Sequence, residues 1–165
     1  MPTFAGNPVT QVGRILSVGD IVENFTVVGN ALNEVKLSDF SQYKYRVISV
    51  VPSLDTGVCD AQTRRINQEL SKNTNVVVLT ISNDLPFAQA RWCGSAGLDN
   101  VITLSDHRDL DFAQKFGALI KEFRLLTRAV FVIGQNNEVL YVEYLDELTN
   151  HPNYEALLNF VNNLD

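Results

Sequence analysis

The chain has 165 residues, enough for one compact domain, and 45% of them are hydrophobic against 19% charged. Its net charge of −6 and pI of about 4.8 argue against a hold on phosphate backbones or anionic lipid heads, so nucleic acid and membrane surfaces are excluded as expected partners. No apolar run approaches the roughly 20 residues a bilayer span needs, and the first seven residues show no basic patch ahead of an apolar stretch, so a cytoplasmic location is expected.

Taken in chain order, Gly6-Asn7-Pro8 signals a turn between short strands at 3–5 and 9–12. Residues 25–28 and 34–37 flank Gly29-Asn30, which reads as a hairpin or a short loop. Residues 45–51 are apolar and β-branched and stop at Pro52, as a central strand does. Val58, Gln62, Ile66 and Leu70 then recur at helical spacing, so 58–70 reads as a helix that Asp55 or Thr56 can cap. A second buried strand is expected at 75–81. A helix at 85–93 opens after Ser82-Asn83-Asp84 and carries Pro86 in its first turn. A short strand at 101–104 precedes a helix at 110–116 that Gly117 closes. Strands at 129–133 and 139–144 enclose Gln135-Asn136-Asn137 as a hairpin, and 154–164 is an amphipathic helix with Leu157, Leu158 and Val161 inward. No repeat, low-complexity tract or Pro/Gly/Ser linker interrupts the chain, so residues 1–165 are read as a single domain. The alternation of strand and helix is an α/β plan, and it fits a thioredoxin-like fold with an N-terminal β extension. Periodicity alone does not choose among α/β topologies.

The two cysteines carry the functional question, because a reducing cytosol disfavours a permanent disulfide. Cys59 falls in the first turn of a helix that follows a central strand. Unpaired backbone N–H groups and the positive end of the helix dipole favour a thiolate there, the nucleophilic form of cysteine. Asp55 and Asp60 oppose this unless they point away or a cation outweighs them, and Arg64, Arg65 and Arg128 are the candidate cations. Position by itself leaves Cys59 open between a reactive thiol and a buried structural one. Cys93 follows by 93 − 59 = 34 positions, so the pair is no Cys-x-x-Cys motif. Cys93 reads as a buried helix residue or as one end of a structural bridge, and the compartment argues against the bridge being permanent. The two histidines, His107 and His151, lack the short paired spacings of a zinc site and read as solvated loop residues.

Pro52, Thr56 and Cys59 stand as Pro-x-x-x-Thr-x-x-Cys within Pro52-Ser53-Leu54-Asp55-Thr56-Gly57-Val58-Cys59. This resembles the peroxidatic motif of peroxiredoxins, and Asp-Thr-Gly-Val-Cys is similar to the thiol peroxidase subfamily, the atypical two-cysteine peroxiredoxins. The resemblance continues through Ser82-Asn83-Asp84-Leu85-Pro86-Phe87-Ala88-Gln89-Ala90-Arg91-Trp92-Cys93-Gly94, Asn100-Val101-Ile102-Thr103-Leu104-Ser105 and Arg128-Ala129-Val130-Phe131-Val132-Ile133. The opening Phe4-Ala5-Gly6-Asn7-Pro8-Val9 also matches, so nearly the whole chain is covered.

The resemblance implies a peroxidase that reduces hydroperoxides to alcohols or water. Cys59 becomes the peroxidatic nucleophile and is oxidised to a sulfenic acid. Thr56 offers its hydroxyl to the thiolate and the peroxide, although a plain N-cap is the other reading of that residue. Arg128, otherwise a solvated strand end, becomes the cation beside the sulfur. Pro52, otherwise only a strand terminator, screens the sulfur from water. Cys93 resolves the sulfenic acid as an intramolecular disulfide that thioredoxin reduces, and the chain pairs as a homodimer. No metal or organic cofactor is required, because sulfur itself changes oxidation state. The cysteines lie on different helices and a disulfide needs Cα atoms within about 7 Å. Bonding is therefore expected to unwind helix turns near the permissive Gly57, Gly94 and Gly97. Phe87 and Trp92 are expected to line an apolar approach, which favours organic hydroperoxides. Two departures, a short 117–127 segment and Gly134 where an acidic residue is common, do not touch this chemistry. A peroxide-sensing redox relay shares the first chemical step and stands as the alternative function.

Overall fold

The structure, a computed structural model, describes residues 1–97 and 100–164. Its centre is a seven-stranded sheet in the order β12-β11-β6-β7-β8-β4-β5. Three of these strands are parallel neighbours: β6 (Tyr45–Val50), β7 (Val76–Ser82) and β8 (Ile102–Ser105). The other four are antiparallel additions. β4 (Thr26–Val28) and β5 (Glu34–Lys36) form the expected hairpin on one side, and β11 (Ala129–Gly134) and β12 (Val139–Tyr144) form the other. β7 is buried along its whole length, as its unbroken run of apolar and small polar residues requires.

Alternate residues of each strand feed two cores on opposite faces. Ile48, Leu79 and Phe131 point to one face, against Phe25, Phe112 and Phe116. There Phe116 meets Phe131 edge-on at 5.2 Å, and Phe131 meets Tyr144 at 5.3 Å. Val47, Val78 and Val130 point to the other face, against Ile66 and Leu70 of α1 (Gly57–Leu70) and Leu157 and Val161 of α4 (Tyr154–Asn162). α2 (Pro86–Ala96) crosses between β7 and β8, and α3 (Asp111–Lys115) follows β8. The α2 helix runs three residues past its expected end and stops at Gly97, whose φ of 68° is the left-handed cap that glycine supplies. Leu110 is excluded from α3 because it stands at φ 52°.

Two details depart from expectation at the N-terminus and before Arg128. The first turn is at Ala5-Gly6, both at positive φ, and Asn7-Pro8 forms β2 against β1 (Thr3–Phe4) rather than part of the turn. A two-residue loop with both φ values positive matches the twist of its strands, and Pro8, with no N–H to give, sits at an edge. Segment 117–127 holds a hairpin of two-residue strands, β9 (Leu119–Ile120) and β10 (Leu125–Leu126). It is joined at its edge by β3 (Gln11–Val12), where a longer strand from residue 9 was expected. Gly13, at φ 112°, lies so close to α3 that a Cβ there would sit 2.7 Å from the carbonyl of Ala113. The N-terminal extension is thereby fixed to the body at α3. Among the described residues, no helix is long and apolar enough to cross a membrane.

Candidate active site

The end of β6 delivers Val51 and Pro52, both buried, to the start of α1. The connecting loop is held by Asp84. Its carboxylate accepts from the Ser53 hydroxyl at 2.7 Å, the Leu54 N–H at 2.8 Å and the Ser82 hydroxyl at 2.7 Å. The loop is thus anchored to the end of β7, and Cys59 emerges in the first turn of α1, fully buried. It clusters with Val51 and Leu54, and the half-buried Trp92 packs against this group.

Arg128, at the mouth of β11 and 2% exposed, reaches across to the same point. Its Nη2 donates to the Cys59 sulfur at 3.2 Å. Two further bonds fix the guanidinium: Nη1 donates to Gln62 Oε1 at 2.9 Å and Nε to the Leu148 carbonyl at 2.7 Å. Gln62 is held in turn, its amide donating to the Ser49 hydroxyl at 2.9 Å and the Val50 carbonyl at 3.3 Å. A buried cation is tolerable only with such a set of acceptors.

The other candidate cations are occupied elsewhere. Arg64 pairs with Asp60 one helical turn away. Arg65 lies over the Tyr154 ring, 4.6 Å from its centroid. The Asp60 carboxylate also accepts from the Trp92 indole N–H at 3.0 Å. Asp55 is exposed. The objection raised by the two acids is answered by an ion pair for one and by solvent for the other.

Thr56 occupies the N-cap position of α1, but its side chain makes no cap bond. Its hydroxyl donates to the Ser53 carbonyl at 3.2 Å. Together with Phe4, Pro52, Gly57, Val58, Arg128 and Thr149, Thr56 lines an open cavity of about 270 Å³ beside the sulfur. Pro52 and Arg128 therefore meet at the cavity, with Cys59 behind them. Phe87 does not join them: it is 66% exposed on α2. The apolar wall comes instead from Phe4 and Val58, so the N-terminal hairpin contributes directly to the site. Cys93 is also apart from Cys59. Its sulfur lies 3.7 Å from the Thr103 hydroxyl on β8, which donates to Asn30 Oδ1 at 3.2 Å. Both cysteines are free thiols. His151 is exposed and bonded to the Tyr154 hydroxyl, whereas His107 is half-buried against Ser105.

Three groups of the hydrogen-bond network escape the sequence reading, Gln62, Asp84 and the carbonyl of Leu148, as do the cavity-lining Phe4, Val58 and Thr149. Gln62 was legible, since a polar residue three positions after Cys59 shares its helix face. Asp84 was read only as part of a helix opening, and a backbone carbonyl leaves no sequence signal.

Glu147 braces the cavity wall. Its carboxylate accepts from the hydroxyl and N–H of Thr149 at 2.6 and 2.8 Å, from the N–H groups of Gly6 and Ala5 at 2.8 and 3.1 Å, and from the Thr3 hydroxyl at 2.8 Å. These donors, the Thr149 hydroxyl first, hold its pKa down at about 2 against an ordinary 4.5. A depressed carboxyl contributes stability above its unfolded pKa, and that stability is lost as pH falls through the folded value. Urea unfolding of Glu147→Gln is expected to show a deficit against wild type at pH 7 that shrinks below about 4.5 and vanishes near 2. A deficit constant with pH would contradict the role.

The Redoxin family model matches residues 17–158. The chain belongs to the Redoxin family. Its curated relatives include a thiol peroxidase of Oceanobacillus iheyensis, 57% identical over 97% of both chains, and a thiol peroxidase of Bacillus subtilis, 60% identical over 93% of this redoxin and 91% of the relative. A solved peroxiredoxin-like protein from Aquifex aeolicus superposes with a TM-score of 0.90 at 40% identity, covering 98% of this redoxin and 95% of that chain. These likenesses place this redoxin among the thiol peroxidases, within the thioredoxin-like folds. It is an oxidoreductase, and its activity is thiol-dependent peroxide reduction.

Proposed function

We propose that Cys59 is the peroxidatic nucleophile and that Arg128 is its electrostatic partner. The observation that carries this is the 3.2 Å bond from Arg128 Nη2 to a fully buried Cys59 sulfur. A hydroperoxide enters the cavity beside Phe4, Pro52 and Val58. The Cys59 thiolate attacks the terminal oxygen, an S–O bond forms as the O–O bond breaks, and the sulfur becomes a sulfenic acid while the alkoxide leaves. The departing alkoxide takes up a proton and is released as the alcohol. Arg128 stabilises the negative charge first on sulfur and then on the leaving oxygen. Thr56, at the cavity rim, orients the peroxide by turning its hydroxyl from the Ser53 carbonyl towards the O–O bond. Pro52 keeps water from the sulfur.

Cys93 then attacks the sulfenic sulfur, the S–O bond breaks, and water leaves as the disulfide forms. Reaching Cys59 requires rearrangement. Adjacent helical residues project about 100° apart, and it is Trp92 that faces Cys59 while Cys93 faces Thr103. The α2 helix must therefore unwind locally, and Gly94 and the left-handed Gly97 lie where it would do so. Thioredoxin is the proposed reductant of the disulfide, the cytoplasm the proposed compartment and a homodimer the proposed assembly. Leu85, Phe87 and Phe123, each at least half exposed, are apolar side chains that a second copy could cover. Residues 1–165 act as one domain in this reading.

The mostly apolar wall of the cavity favours organic hydroperoxides. Coupled to thioredoxin and its reductase, the protein is expected to turn over cumene hydroperoxide many times, about tenfold faster at low concentration than hydrogen peroxide, as burial of a small apolar group allows. Equal rates would remove the substrate preference. No turnover with either peroxide would overturn the thioredoxin-dependent cycle.

A further inference from the structure

We propose that Asp60, Arg64 and Trp92 form a latch between α1 and α2 that sets the rate at which Cys93 resolves Cys59. The inference rests on the reading of Cys93 as the resolving thiol and adds three positioning residues to it. The Trp92 indole N–H donates to Asp60 Oδ2 at 3.0 Å. Among the described residues this is the one side-chain hydrogen bond that joins the two helices. Arg64 pairs with the other oxygen of the same carboxylate, and its guanidinium lies over the Trp92 ring, 5.4 Å from the centroid. One ring is thus held at its edge by an acid and on its face by a cation, both from α1. The same ring packs against Cys59, Val51 and Leu54.

Trp92 and Cys93 are consecutive, so neither moves alone. While the ring is latched on α1, the Cys93 sulfur stays turned to Thr103. For Cys93 to meet Cys59, the peptide carrying both residues must rotate and the ring must leave the space beside the sulfur. The indole bond and the stacked cation are lost before the disulfide forms. Their strength therefore belongs to the barrier for resolution and not to the attack on peroxide.

This matters because the Cys59 sulfenic acid has two fates. Cys93 converts it to the disulfide with loss of water. A second hydroperoxide converts it to a sulfinic acid, giving up one oxygen and leaving as alcohol. A tight latch lengthens the life of the sulfenic acid and directs more of the enzyme to the sulfinic state when peroxide is abundant.

The test uses the full chain with Trp92→Phe, which keeps a ring but removes the N–H, and Asp60→Asn, which removes the charge that holds both partners. Reduced protein is mixed with one equivalent of cumene hydroperoxide, quenched in acid at intervals, and the disulfide counted by mass after alkylation. The sulfinic fraction is then measured at a large peroxide excess. Both variants are expected to form the disulfide about fivefold faster, the loss of one partly exposed bond to a charged group, and to show a lower sulfinic fraction. Either variant resolving at the wild-type rate or slower overturns the latch, whereas absence of a Cys59–Cys93 disulfide in the wild type overturns the resolving role itself. A change in folding stability alone would not shift the partition between disulfide and sulfinic acid.

Discussion

Cys93→Ser is expected to reduce one equivalent of hydroperoxide at the wild-type rate and then stop, while Cys59→Ser reduces none. The two thiols differ in setting. Cys59 is buried beside a guanidinium and behind a cavity wide enough for a small peroxide, whereas the polar contact of the Cys93 sulfur among the described residues is the neutral Thr103 hydroxyl. Thiolate attack needs a stabilising charge, and of the two sulfurs it is that of Cys59 that a guanidinium touches, beside a cavity that the same Arg128 lines. Without Cys93 the sulfenic acid persists, so the first turnover survives and the thioredoxin cycle does not. Rapid mixing with cumene hydroperoxide, followed by steady-state assay, reads both phases. Multiple turnovers by Cys93→Ser under thioredoxin would show that another thiol resolves Cys59.

Arg128→Met is expected to lower the rate constant for peroxide attack by about 10²- to 10³-fold, the scale of losing one preorganised donor at a centre of developing charge. Arg128→Lys should recover little of this. Lysine keeps the charge but cannot satisfy Cys59, Gln62 Oε1 and the Leu148 carbonyl from one planar fork. Removing the guanidinium also leaves two buried acceptors without a donor, at a cost of about 1–3 kcal/mol each in stability. The rate must therefore be read on protein shown to be folded at the assay temperature. Gln62→Leu gives an independent view of the same network. It leaves the Arg128–sulfur bond possible but unsupported, and the expected loss in rate is smaller than for Arg128→Met. A loss below tenfold in Arg128→Met would mean that the helix N-terminus alone activates Cys59.

How far the sequence speaks for this site depends on the length of the signal. The strands at 45–50 and 129–134 carry six residues each and were visible as apolar, β-branched runs. The β9–β10 hairpin was not, because strands of two residues are too short to show alternation. Pro8 misled in another way: it reads as a turn former, yet with its φ fixed it suits a strand edge, and the turn falls one step earlier where Gly6 supplies positive φ. Position alone left Cys59 open between a reactive thiol and a buried structural one, since cysteine is among the most buried residue types, and the family resemblance was needed to choose. Arg128 lies 69 positions away, and only the family resemblance joined it to Cys59. Asp60 read as an obstacle to a thiolate because its two partners, Arg64 and Trp92, were not recognised. The Arg64 pair was available as an i,i+4 contact; the Trp92 contact belongs to tertiary packing.

Phe4 illustrates what the fold adds to the chemistry. Nothing in its local sequence marks it as part of a site more than fifty residues away, yet the hairpin of β1 and β2 carries it to the cavity wall. Glu147 holds that hairpin in place, and its neighbour Leu148 supplies the carbonyl that orients Arg128. The cavity wall and the Arg128 guanidinium are thus both held by one short stretch of chain after β12.

The most direct measurement is the covalent state of the reduced protein after one equivalent of cumene hydroperoxide, read by intact mass and peptide mapping in wild type, Cys59→Ser and Cys93→Ser. Rapid loss of both thiols and a Cys59–Cys93 linkage are expected in the wild type, with a trapped Cys59 sulfenic acid in Cys93→Ser and an unmodified Cys59→Ser. Survival of both thiols in the wild type, or oxidation of Cys93 in Cys59→Ser at the wild-type rate, would contradict the assignment of Cys59 as the nucleophile.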